Sequence, residues 1–111
     1  MKYFLDTHDR AKGTFPDGEI TEEQFFANFD ALDEAGRQFG VSALAAHVDL
    51  AGGKAWCFMS GPSIDAVKKA HLAVNFPFDS IQEVRRVSAG DMRIPARNTT
   101  RDKALTVNAT V

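Results

Sequence analysis

Three histidines and a handful of carboxylates carry most of the chemistry this chain could do: His8, His47 and His71, with Asp6, Asp49 and Glu83. An imidazole beside carboxylates suits a borderline divalent cation such as nickel, zinc or copper. His47 is the leading candidate. It falls in the middle of an expected strand, and period-two alternation puts Asp49 on the same face. On the first strand Asp6 and His8 share one parity, Tyr3 and Leu5 the other. If Tyr3 and Leu5 face the helices, Asp6 and His8 point the same way as His47, and Glu83 joins them if Val84 packs inward. The candidate metal ligands are therefore His47, Glu83 and Asp6, with His71 and His8 as further members. The plain alternative is a set of solvated surface side chains and, for His71 on the apolar stripe of the second helix, a core histidine hydrogen-bonded to backbone.

Other residues point to other chemistry. Trp56 and Phe58 share the His47 face, where they could stack a planar ligand or cofactor or pack on a second subunit. Cys57 is expected on the helix side as a small apolar residue. A Cys57–His71 nucleophile pair would need a lowered thiol pKa and solvent access, and nothing signals either. The chain has no Gly-rich phosphate loop, finger-type Cys spacing, G-x-S-x-G elbow or dinucleotide fingerprint.

These side chains need a scaffold, and the sequence describes one. Residues 2–8 alternate as a first strand. Thr21-Glu22-Glu23-Gln24 is a capping box, opening a helix that should run to about residue 39 and stop at Gly40. Phe25, Phe29, Leu32, Gly36 and Phe39 form its apolar stripe. Residues 41–50 and 54–60 read as strands joined by a two-residue Gly52-Gly53 turn, which would pair Leu50 with Ala55 and His47 with Phe58. In that register Ala46, Val48, Leu50, Ala55, Cys57 and Met59 face the helices, and His47, Asp49, Trp56 and Phe58 face away. Ser63 caps a second helix with the stripe Ile64, Val67, His71, Val74, ending before Pro77. Residues 82–87 supply a fourth strand. The order βαββαβ is the split-βαβ plan: a ferredoxin-like α+β fold with a four-stranded antiparallel sheet, helices on one face only.

Bulk properties narrow the class. At 111 residues with 44% apolar and 25% charged side chains, one globular domain is expected. The formal net charge of −2 gives no general attraction to nucleic acid or to an anionic membrane. Residues 1–87 carry 9 basic and 13 acidic side chains and residues 88–111 carry 4 and 2, so the reading divides the chain into a ferredoxin-like domain at 1–87 and a C-terminal tail at 88–111. The tail alternates weakly at 105–111, as an added strand would. The single Cys57 excludes an internal disulfide, and the first residues lack a signal-peptide apolar run. The expectation is a cytoplasmic protein with no nucleic-acid or membrane partner.

The segments YFLD (3–6), the His47 strand, KAWCF (54–58), GPSIDAVKKAH (61–71) and FPFDSIQEV (76–84) resemble a family of small bacterial ferredoxin-like proteins of unknown function that includes an actinobacterial nickel-binding protein. The resemblance implies a metal-binding role for an acidic residue late in the first strand, here Asp6 where the family usually has Glu. It implies the same for a His on the second strand, here His47, a His on the second helix, nearest to His71, and a Glu before Val on the last strand, here Glu83.

Taken together, the expectation is a homodimer joined through its open sheet faces, as in dimeric α/β barrels. It would bind a small ligand, nickel or another divalent transition metal, between the two sheets. The alternatives are a cofactor-poor dimeric-barrel enzyme of monooxygenase or isomerase type, using His47 and Asp49 as acid and base, and a non-catalytic interaction module.

Overall fold

A computed structural model describes residues 1–87 of the chain. The expected tail and its strand at 105–111 lie outside the described residues. Strands β1 (Lys2–Asp9), β2 (Ser42–Asp49), β3 (Lys54–Gly61) and β4 (Ser80–Val84) alternate with helices α1 (Glu22–Gly36) and α2 (Ile64–Ala73) in the order βαββαβ. The strands form one antiparallel sheet in the order β2-β3-β1-β4, which puts β1 and β3 at its centre.

The local signals act as expected at the helix starts. Thr21 and Gln24 satisfy each other's backbone donors at 3.1 and 2.8 Å. Ser63 Oγ accepts from Ala66 N at 3.2 Å. Helix α1 tightens into a 3-10 turn over Arg37–Phe39 and stops at left-handed Gly40. Gly36 allows the close approach its place in the stripe suggested: a Cβ there would meet the Val41 carbonyl oxygen at 2.8 Å.

Burial alternates along both central strands, with Phe4, Asp6 and His8 inside on β1 and Ala55, Cys57 and Met59 inside on β3. The core has two apolar clusters. One is Phe4, Leu32, Val41, Met59, Ala66, Val67 and Ala70; the other is Phe15, Phe25, Ala55 and Cys57, and Phe29 and Phe76 pack against both. Each fully buried Leu, Val or Phe contributes about 1.5–3 kcal/mol.

Three expectations need correction. The hairpin register is two residues from the expected one: Asp49 pairs with Lys54, Val48 with Ala55 and His47 with Trp56. The connection is four residues long because the Asp49 carboxylate accepts from Gly52 N at 2.8 Å, and Gly53 takes a φ of 67°. A shift of two preserves parity, so every residue keeps its expected face. On α2 the buried set is Ala66, Val67, Ala70 and His71, while Ile64 is exposed. Strand β4 occupies Ser80–Val84, earlier than expected, with Val84 opposite Tyr3 on the open side and Ile81 opposite Asp6 on the helix side.

Candidate metal centre

On β1 the parity is the reverse of the one that would have joined Asp6 to His47. Both parities of this strand contain apolar residues, so alternation alone does not choose between them. Phe4 wins the interior at 1% exposure, and Asp6 and His8, two and four residues on, follow it beneath the helices at 0% and 2%. Two polar side chains under a helical layer require partners. The apolar stripe of α2 supplies one in His71, itself at 0% exposure.

The three groups meet around one carboxylate. His8 Nε2 lies 2.5 Å from Asp6 Oδ1, and His71 Nε2 lies 3.3 Å from Asp6 Oδ2. On the far side of each ring, Nδ1 faces a main-chain carbonyl: Pro77 O at 2.6 Å for His8 and Val67 O at 2.8 Å for His71. A carbonyl only accepts, so each Nδ1 donates and carries a proton. Each Nε2 is thereby aimed at Asp6, and a proton or a cation in each contact keeps lone pairs from facing lone pairs. The His71 contact is short enough for an ion pair and misaligned for a hydrogen bond, leaving Asp6 Oδ2 and His71 Nε2 buried with no hydrogen-bond partner. Buried polar atoms that face each other without a hydrogen bond are a place where an ion or a water can be held.

Burial by itself raises the pKa of the Asp6 carboxyl. The close contacts and charge of His71 and His8 outweigh it and hold the group below its ordinary value. Cys57 stands directly opposite Asp6 on β3. Burial, reinforced by the Asp6 charge, pushes its thiol pKa far up, which removes the Cys57–His71 nucleophile reading. Ligand atoms of Asp6, His8 and Cys57 all lie within 4.8 Å of one another. That group offers a carboxylate oxygen, one imidazole nitrogen and a sulfur, and the His71 imidazole faces the same carboxylate from α2. Both imidazoles are oriented through Nδ1 in the way metal-bound histidines are, so the residues fit a borderline dication.

The chain segment after α2 closes the site. Phe76 N donates to His71 O at 2.9 Å and Asn75 N to Leu72 O at 3.2 Å, a Schellman ending with left-handed Asn75 at φ 53°. The Phe76 ring then sits 4.7 Å from that of His8 and 5.8 Å from that of His71, with Phe78 5.2 Å from His71 on another side.

The other candidates stand elsewhere. His47 is exposed on the opposite face of the sheet, beside a shallow cleft with Leu5, Leu44, Phe58 and Val84. Trp56 is 39% exposed on that same face, and Phe58 stacks on Tyr3 at 5.4 Å. Asp49 caps the hairpin turn through Gly52. Glu83 lies opposite Phe4 on edge strand β4, exposed, with Oε1 4.0 Å from Lys2 Nζ. Asp6, His8 and His71 are brought together; His47 and Glu83 do not join them. Sequence reasoning missed the Asp6–His71 contact. A histidine on a helix's apolar stripe needs a polar partner in the sheet, and Asp6, two residues from Phe4, was the signal that could have supplied it.

Comparison with known proteins was consistent with this architecture. Residues 4–84 match the family model SCO4226-like, described as nickel responsive protein SCO4226-like. The crystal structure of SCO4226 from Streptomyces coelicolor A3(2) matches with a TM-score of 0.66 and 28% sequence identity, covering 78% of this chain and 99% of that one. No curated protein matches the chain.

Proposed function

The chain belongs to the SCO4226-like family, and from that membership and the buried cluster we propose that it binds a divalent transition metal of the nickel type through Asp6, His8 and His71, with Cys57 alongside. The observation that carries this reading is the convergence of two Nδ1-anchored imidazoles on one buried carboxylate, with Asp6 Oδ2 and His71 Nε2 facing each other without a hydrogen bond. A dication between neutral imidazoles supplies the two positive charges that the Nε2 contacts otherwise require as two protons. Exchanging one for the other leaves the buried net charge unaltered, so the heavy desolvation penalty of a charged interior is not increased by loading. Imidazole and carboxylate donors suit nickel, and the sulfur beside them favours the later transition metals over magnesium or calcium.

The function resides in the 1–87 domain, and the molecule acts as a homodimer. Tyr3, Leu5, Trp56, Phe58 and Val84 give the open sheet face an apolar character that a second copy would cover. A metal held between the sheets through His47 is the competing placement, supported by the position of that imidazole beside the open-face cleft. Calorimetric titration with nickel(II) separates the two. Binding that survives His47→Ala and is lost in His71→Gln supports the buried site. The reverse result moves the metal to the open face, and no binding by the unaltered chain rejects the metal reading altogether.

A further inference from the structure

We infer that nickel or its like enters and leaves the Asp6–His8–His71 cluster through the cleft between α1 and the 13–17 loop, with the Phe76–Pro77 strap as the door. This inference rests on the proposed metal site. The three side chains are at most 2% exposed, so nothing reaches them while the described structure is closed. The Phe76–Pro77 strap touches both the cluster and a cavity outside it. Its inner side holds the cluster: Phe76 covers the rings of His8 and His71, and the Pro77 carbonyl accepts from His8 Nδ1. Its outer side, together with Val74 and Asn75, lines a cavity of about 370 Å³ that also includes Phe15, Phe25, Asn28 and Asp17. The strap thus lies between the cluster and a space large enough for a hydrated cation, and Asp17 is the one charged residue among the described residues that line it.

The strap also has the backbone features of a hinge. It begins at Asn75, a non-glycine residue at φ 53°, where an L side chain is mildly strained. It is tied down again at Asp79, whose N–H donates to Thr7 O at 2.7 Å. Between those two points, its main-chain attachments to the body are the Phe76 N–H to His71 and the His8 ring to Pro77 O. Apart from the packing of the Phe76 and Phe78 rings, few main-chain bonds hold the segment, and it is expected to open at a lower free energy than the sheet beneath it. Opening also withdraws the Pro77 carbonyl from His8, which frees that ring to turn and release its ligand. Gate and ligand are thus mechanically joined.

Stopped-flow exchange of nickel(II) against a chromophoric chelator tests the door. Phe76→Ala is expected to raise uptake and release rates together by about tenfold or more, with equilibrium affinity changed far less than either rate. Phe76→Leu, which keeps apolar bulk should the alanine variant fold poorly, is expected to give a smaller acceleration of the same sign. Asp17→Asn should slow uptake alone. Amide exchange on the metal-free chain gives an independent readout: the Phe76 N–H should exchange well ahead of the β1 and β3 amides. Nickel binding with unchanged rates in both Phe76 variants overturns the gate and leaves the site standing, as does a Phe76 amide protected as strongly as the central strands. Failure of the unaltered chain to bind nickel overturns site and gate together.

Discussion

The two faces of this sheet each carry histidine, in opposite settings. On the helix side His8 and His71 are sealed, anchored at Nδ1 by main-chain carbonyls and directed at Asp6. On the open side His47 stands exposed, across the strand pair from Trp56, near a wide, shallow cleft. The same residue type is fixed by its surroundings in one place and left to a partner in the other. Burial and an Nδ1 hydrogen bond to a main-chain carbonyl give an imidazole a defined donor direction, and a surface position does not. Chemistry that needs preorganised ligands belongs to the helix side, whereas the apolar open face is suited to association.

Substitutions that cut into one face and spare the other would test this contrast. Asp6→Ala should be the most damaging, because it leaves two anchored imidazoles buried without a counter-charge. A loss of about 4–5 kcal/mol in urea unfolding is expected, together with loss of nickel binding. His71→Ala removes one arm and opens a cavity, costing about 3 kcal/mol without metal. His47→Ala should stay within about 0.5 kcal/mol of the unaltered chain in the same measurement, as exposed positions do. Equal losses at His47 and His71 would erase the distinction between the faces.

Acid should act on the helix side. Asp6 has a folded-state pKa below its unfolded value, so the unfolded state binds more protons in the acid range. Its contribution to stability is fully present above the ordinary carboxyl range and is lost as pH falls through the folded value. Urea midpoints followed downward from neutral pH should fall in that window, and Asp6→Asn should flatten the fall. The smallest effect on the chain itself is expected on the open face. Trp56→Ser should change unfolding free energy by about 0.5 kcal/mol or less while shifting light-scattering mass from dimer to monomer. A chain that is monomeric before substitution would remove the partner from that face.

Much of this was legible in the residues. The capping box, the Phe25–Leu32 stripe and the Gly36 contact came from spacing rules that act within a few residues, and the strand faces of β2 and β3 survived an error in register because a slip of two keeps parity. The β1 face was not legible, since Phe4 and the Tyr3–Leu5 pair compete and the outcome depends on contacts far along the chain. Asp6 is tolerable inside only because His71, 65 positions later, waits above it. Local alternation contains no information about that meeting. The Asn75–Phe78 cover was missed for a related reason: Pro77 was read as a helix stop, and its carbonyl proved to hold a ring.

The two Nε2 contacts at Asp6 also bear on which ions the cluster can discriminate. Since the geometry asks for two positive charges, a monovalent ion in their place would leave the interior one unit short, and a trivalent ion would leave it one unit in excess. Either imbalance has to be met in a medium that solvates ions poorly. At the proposed metal site the anchored ring nitrogens would therefore sort ions by valence before size or softness enters.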